Sequence, residues 1–209
     1  MKNLFISLIC LFCSGILSGQ NLTPIALLPP DTGRGLPVMK ALALRASPSA
    51  FDSTALSLRD LSDLMWAANG VNRPNGKRTA PSAMNSQDID VYAVMKEGIY
   101  LYNAQKHLLE PVAAGDYRSY VADRQENFKN APIFCVLVSD ISRFKTGEES
   151  QKMTWAYEDA GIVSQNICIF CAGVGLKSRT RAWMNSDKLK EVMKLTPSQH
   201  LILNNPVGR

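Results

Sequence analysis

Apolar and polar positions alternate along this chain with periods that change sharply from segment to segment. The first block, Leu4 to Leu17, is apolar throughout. Residues 21–40 then mix proline, glycine and apolar side chains (Pro24, Pro29-Pro30, Gly33, Gly35, Pro37) and predict an extended arm. Within its later part Leu36 to Leu44 predicts a short helix that ends before Ala46-Ser47-Pro48. Leu58, Leu61, Leu64, Met65 and Ala68 recur at helical spacing, with Ser57 placed to cap and Gly70 to stop, so Leu56 to Asn69 predicts a helix. A polar loop from Val71 to Ser82 follows.

Asp90 to Met95 alternates with period two, Glu97-Gly98 turns the chain, and Ile99 to Tyr102 returns, which predicts a hairpin. Leu108 to Val112 adds a further short strand, and Tyr117 to Asn130 predicts a helix stopped by Pro132. The continuous apolar run Ile133 to Ser139 predicts a strand buried on both faces. Ser150 to Ala172 is the longest helical stretch, Ser186 to Lys194 a short amphipathic one, and His200 to Leu203 the last strand. Strands and helices alternate without a regular βαβ rhythm, so the fold class is α+β with a mixed or antiparallel sheet.

The first block fits an export signal. Lys2 supplies the positive start, and Ser18-Gly19-Gln20 the small residues near a cleavage point, while the apolar run is shorter than the roughly 20 residues that span a bilayer. Residues 1–20 are therefore read as a cleaved signal peptide and the mature protein as periplasmic or extracellular. No second long apolar run follows, so no membrane span is expected in the mature chain. Net charge is +5 with its basic residues scattered and no basic stripe interleaved with aromatics, which excludes a nucleic-acid partner and suits a small anionic ligand. Of the five cysteines, Cys10 and Cys13 leave with the signal. Cys135 reads as a buried strand residue. Cys168 and Cys171 form a C-x-x-C, which invites a redox or metal reading; the alternative is small packed residues one helical turn apart, a spacing unsuited to a disulfide.

The familiar hydrolytic and metal patterns are missing. The two histidines, His107 and His200, form no helix-spaced pair, and no metal site is expected. There is no G-x-S-x-G and no phosphate loop of the G-x-x-x-x-G-K-[ST] type. Gly173-Val174-Gly175 follows a helix rather than a strand and lacks the third glycine of a dinucleotide fingerprint. Three other segments carry candidate chemistry. Arg45 with Ser47 and Phe51 offers an anion-binding fork. Pro81-Ser82-Ala83-Met84-Asn85-Ser86-Gln87 offers an amide that can read the edge of a flat heterocycle. Gly173-Val174-Gly175-Leu176 offers a turn that admits close backbone approach. Taken singly, each also reads as a capped loop or a helix terminus.

In this order the three segments resemble the flavin-binding pattern of the nitroreductase family, over most of residues 40–209. Trp66-Ala67-Ala68-Asn69-Gly70, Arg78 to Ser82 and Gly98 to Tyr102 are most similar to the branch that contains the azoline oxidases of peptide maturation. The resemblance implies a nitroreductase-like domain over residues 41–209, with a mostly antiparallel sheet flanked by helices, built as an intertwined homodimer. It implies FMN as cofactor, with Arg45 on the phosphate and Ser47 on the phosphate or ring region. Ser82, Ala83 and Asn85, followed by Gln87, would face the flavin of the partner subunit. Gly173, Gly175 and Leu176 would shape the turn beside the ring, and Arg209 would give a second phosphate contact. The family often carries a basic residue where this chain has Ser49, and Pro-Trp where it has Asp88-Ile89. No side chain is expected to act as acid, base or nucleophile. The activity implied is reduction of a nitroaromatic, quinone or similar small-molecule acceptor, with NAD(P)H delivering a hydride to flavin N5. The alternatives are an oxidase or dehydrogenase of a peptide-derived or other organic donor without nicotinamide, and a secreted non-enzymatic ligand-binding relative.

Overall fold

The apolar run at the centre of the chain becomes the central strand of the structure, a computed structural model that describes residues 22–209. The expected signal peptide lies outside the described residues. The strand, β5 (Ile133–Asp140), is antiparallel to β2 (Ile89–Met95) on one side and β7 (Gln199–Gly208) on the other. Beyond β2 come β3 (Gly98–Asn103), β4 (Leu108–Ala114) and the two-residue β1 (Ile25–Ala26); beyond β7 comes β6 (Lys177–Ser178). Every pairing in this seven-stranded sheet is antiparallel. The α+β expectation with a mostly antiparallel sheet flanked by helices is met.

The period of two along β5 sends its side chains into two separate cores. Ile133, Cys135 and Leu137 face Leu61, Leu64, Met65 and Ala68 of α2 (Leu58–Asn69) and Ala156, Ala160, Val163 and Ile167 of α4 (Glu149–Gly173). Phe134, Val136 and Val138 face Val121 and Ala122 of α3 (Arg118–Ala122), Phe128, and Leu189 and Met193 of α5 (Ser186–Met193). Both faces of the strand are thereby dry, which is why its sequence shows no polar alternation. The caps agree with the sequence: Ser57 Oγ accepts from Asp60 N at the start of α2, and Gly70 ends it.

The segment read as one helix from Tyr117 to Asn130 is two pieces. α3 stops at Ala122, Asp123 takes a positive φ of 48°, and one turn of 3-10 helix follows at Glu126–Phe128. The cause is a distant arginine. In a continuing helix the carbonyls of Val121 and Ala122 would accept from residues four further on. Here the buried Arg181 guanidinium donates to both, at 3.3 and 3.1 Å, and also to Gln125 Oε1, Asn204 Oδ1 and the carbonyl of Trp183. The Trp183 indole N–H donates to the Asp123 carboxylate at 2.6 Å and secures the break. A tertiary partner outbids local propensity.

The proline-rich arm is pinned along its length. Leu28 N donates to Ser62 Oγ (2.9 Å), Asp31 N to Asp63 Oδ1 (3.0 Å) and Leu36 N to the carbonyl of Gly173 (2.9 Å), while Arg34 pairs with Asp60 and Asp63. The arm then enters α1 (Val38–Leu44), which lies across the C-terminal end of α4 through buried Ala41. No helix among the described residues is long and apolar enough to cross a membrane. Since Arg181 satisfies five buried or half-buried acceptors, Arg181→Ala is expected to lower unfolding stability by about 3 kcal/mol or more in denaturant melts. Arg181→Lys, which keeps charge but not the fork, should recover only a minor part.

Candidate functional site

The 25-residue α4 organises every candidate residue. At its C-terminal end Val174 N reaches back to the Phe170 and Cys171 carbonyls, and Leu176 N donates to the Cys171 carbonyl at 2.8 Å. Gly175 between them has φ of 76°, in the left-handed region. This is a Schellman ending, and it accounts for Gly175 without any ligand. It also turns the chain into β6, which brings Leu176 and Lys177 against the residues that leave α1. The predicted Arg45, Leu176 and Gly173–Gly175 turn are therefore neighbours.

Between them opens a cavity of about 280 Å³. Leu44, Ala172 and Leu176 give it apolar walls, and Arg45 and Lys177 stand at it as cations. Pro48 also lines it, and Ser47 and Ser49 lie exposed on the same loop. That loop is held from outside. Asn127 Nδ2 donates to the Ser49 carbonyl at 2.5 Å, and Arg179 Nη1 approaches the Pro48 carbonyl at 3.4 Å while its guanidinium lies 5.4 Å over the Phe128 ring. Under the cavity, β6 is fastened to α4 by a buried polar network. Ser164 Oγ bonds Thr180 Oγ1 at 2.6 Å and donates to Asn205 Oδ1 at 2.8 Å; Asn205 Nδ2 donates to Ser178 Oγ at 3.4 Å. Cys168 lines the same wall, and Cys135 and Cys171 are fully buried, with thiol pKa values pushed up by desolvation. The three cysteines among the described residues are free and buried.

Arg209 is placed differently. Its backbone adjoins the cavity because Gly208 pairs with Lys177, but its guanidinium turns to Asp60 Oδ2 at 3.3 Å. Asp60, buried on the first turn of α2, thus serves both Arg34 and Arg209. Burial pushes its carboxyl up, but hydrogen bonds from Arg34 and Ser57 and the charges of both arginines hold it below the ordinary value of 3.8. A carboxyl depressed on folding stabilises above its unfolded pKa, and that contribution is lost as pH falls through the folded value.

The second cluster sits mid-way along α4. Ala83 N donates to both oxygens of Asp159, at 2.9 and 3.1 Å, and Gln87 N donates to Ser82 Oγ at 2.8 Å. Gln87 is consumed within the loop: its Oε1 accepts from Arg78 Nε, its Nε2 donates to the Gly76 carbonyl, and its own carbonyl accepts from Arg143 Nη1. Asn85 and Met84 stay exposed. Met84, Asn85 and Gln87 all carry positive φ, 52°, 53° and 49°, which costs roughly 1–2 kcal/mol for each residue that is not glycine. Asp159 and Gly173 are fourteen residues apart on one helix, a rise of about 21 Å at 1.5 Å per residue. One chain therefore presents its two candidate clusters at well-separated places.

A further cavity of about 350 Å³, bordered by Leu56, Leu61, Met95 and Tyr100, holds none of the candidate cofactor-binding residues. Exposed apolar side chains gather on α1, where Val38, Met39, Leu42 and Leu44 are 61, 74, 46 and 62 % accessible. Tyr157 on α4 and Met84 on the loop are exposed as well. Sequence reasoning missed Lys177, Arg179 and Asp159. For the first two the signal was the alternation Lys177-Ser178-Arg179-Thr180-Arg181; for Asp159, a carboxylate on an apolar helix face, only the loop's placement reveals its purpose.

The chain is similar to known proteins over most of its length. The family model described as Nitroreductase family matches residues 42–209. A protein of Methanocaldococcus jannaschii, provisionally named a nitroreductase, is 25 % identical over 177 residues, covering 80 % of this chain and 88 % of that protein. A crystal structure from Ralstonia eutropha, also provisionally named a nitroreductase, superposes with a TM-score of 0.84 at 36 % identity over 91 % of both chains. A chain of the E. coli microcin synthetase complex shares the fold, with a TM-score of 0.69 at 18 % identity over 99 % of this chain and 84 % of that one.

For the Asp60 cluster, wild-type stability is expected to fall more steeply than that of Asp60→Asn as pH drops below the ordinary carboxyl value of 3.8 in thermal melts, since only the wild type has the depressed carboxyl to protonate.

Proposed function

The chain belongs to the nitroreductase family, and from that premise we propose that it is an FMN-dependent oxidoreductase, a homodimer with two flavins at the subunit interface, reduced by NAD(P)H and reoxidised by a nitroaromatic, quinone or similar small acceptor. The observation that carries the reading is the cavity at the C-terminal end of α4, where Arg45 and Lys177 flank walls made by Leu44, Ala172 and Leu176. That donor set fits a phosphate monoester attached to a flat apolar ring: a guanidinium fork and an ammonium for the anion, aliphatic carbon for the ring.

FMN bound there supplies two-electron redox chemistry, so the protein need only bind, orient and shield it. Arg45 would hold the phosphate, with the hydroxyls of Ser47 and Ser49 available on the same loop. Lys177 takes the second cationic position, since Arg209 is committed to Asp60. Leu44, Ala172 and Leu176 keep water from one side of the ring. The Gly173–Gly175 turn, closed by its own backbone bonds, sets where Leu176 and Lys177 stand. The loop of Ser82, Ala83 and Asn85 is tied to α4 at Asp159, nine residues before Cys168 at the cavity wall, and in this reading it serves the cofactor held by the partner. The apolar side chains exposed on α1 and beside the loop are the surface a second copy would cover. The reading includes export: the leader over residues 1–20 is removed and FMN is acquired by the mature protein in the periplasm or outside the cell.

The purified mature protein is expected to be yellow and dimeric in sedimentation, and its flavin band to bleach on anaerobic mixing with NADPH or NADH. A flavin-loaded protein that neither nucleotide bleaches would assign the electrons to another organic donor, and a colourless protein that takes up no FMN would remove the enzymatic reading. Arg45→Ala is expected to weaken FMN binding about ten- to hundredfold, the loss of one charge-assisted contact of roughly 1.5–3 kcal/mol. Flavin content unchanged after dialysis would take Arg45 out of the site.

A further inference from the structure

Beneath the Ser82–Gln87 loop lie two carboxyl groups that the proposed chemistry leaves without a role. Asp88, the residue after the loop, is 0 % exposed. Its Oδ2 accepts from Ser139 Oγ at 2.5 Å, while its Oδ1 finds no donor among the described residues. Asp159, 4 % exposed, lies within hydrogen-bonding reach of Asp88 and offers both oxygens to Ala83 N. Two ionised carboxylates this close and this dry repel strongly, and neither has a proton to give. One proton between them removes the repulsion and supplies the missing donor.

The neighbouring charges do not offer another way out. Arg143, on the turn after β5, is the cation that feels Asp88, but it grips both oxygens of Asp90 at 2.9 and 2.6 Å and lies 3.6 Å from Asp140. Arg78, on the preceding loop, donates to Gln87 and to the Asn69 carbonyl. From α2 comes neutral Asn69, whose Nδ2 donates to the Ile89 carbonyl, and β5 presents Ser139 and, paired with Arg143, the carboxylate of Asp140.

We propose that Asp88 and Asp159 share one proton, and that this acid–carboxylate hydrogen bond is the clamp that holds the Ser82–Gln87 loop in its left-handed conformation. Asp88 and Asp159 are then positioning residues for the loop that presents Ser82, Ala83 and Asn85; that the loop faces a flavin rests on the function proposed above, whereas the clamp does not. Burial, and then the hydrogen bond and charge of Asp159, push the Asp88 carboxyl up to about 7, against the opposing bond from Ser139. When the loop opens to water, Asp88 returns toward its ordinary value of 3.8. Between these two values the closed form binds more protons than the open one. Opening therefore becomes easier as pH rises, by up to about tenfold per pH unit, and levels off above that window.

The test is amide hydrogen exchange at Ala83 in the purified protein, corrected for intrinsic rates, at pH 5.5 and 6.5. Wild type is expected to lose up to about tenfold protection over that unit. Asp88→Asn, whose amide donates to Asp159 permanently, is expected to lose none. In wild type the Asp88 carboxyl carbon, followed by NMR, should titrate near neutrality, which needs no variant to fold. Titration in the ordinary carboxylate range, protection independent of pH in wild type, or an unchanged pH slope in Asp88→Asn would each overturn the clamp. FMN affinity measured over the same pH range is expected to weaken in parallel in wild type alone. Affinity that stays flat while protection falls would overturn the positioning role, and a protein that takes up no FMN would sink the functional reading while leaving the exchange result to stand by itself.

Discussion

One helix sets the geometry of this protein. α4 runs through 25 residues with its buried stripe fixed against β5 and α2, and it carries a candidate cluster at each of two places: the Asp159-bound loop midway and the Schellman turn at the end. The helix is rigid and the rise between the two places is about 21 Å. In the proposed dimer a second α4 completes the site. The apolar surface that α1 leaves open next to the turn, with the exposed Tyr157 and Met84, is the hydrophobic area that the proposed second copy would bury.

Much of the fold was legible because the hydrophobic pattern and the buried faces coincide. The uninterrupted run at Ile133 to Ser139 is the strand with two dry faces. The stripe Leu61, Leu64, Met65, Ala68 is the buried side of α2 with its cap at Ser57, and the hairpin turns at Glu97-Gly98 as its residues require. What the pattern could not carry was long-range hydrogen bonding. The helix read through Tyr117 to Asn130 is broken because Arg181, some sixty residues on, takes the carbonyls of Val121 and Ala122. The two-residue edge strands β1 and β6 are too short to leave a period.

At the site the sequence located segments better than it assigned side chains. Arg45 and Leu176 do meet at one cavity. Gln87, in a motif that suggests a ligand contact, is absorbed by Arg78 and Gly76, and Arg209 is drawn to Asp60, because each finds a nearer partner of the right chemistry within the chain. Lys177 stands at the cavity instead, delivered there by the glycine turn. The departure from the family pattern at Asp88-Ile89 acquires a physical meaning as well. An acid placed where the family commonly has proline gives the strained loop a proton-dependent anchor on α4.

In the proposed enzyme each binding site draws on two chains, and mixed dimers test this most directly. Arg45→Ala damages the cavity and Asn85→Glu damages the loop, so either variant alone should retain little FMN. When the two are co-expressed and the mixed dimer is isolated through distinct tags, the account predicts one site built from undamaged halves and one flavin held tightly per dimer. A mixed dimer that holds no more flavin than its parents would contradict it, since that is the outcome when Arg45 and Asn85 serve the same site from the same chain.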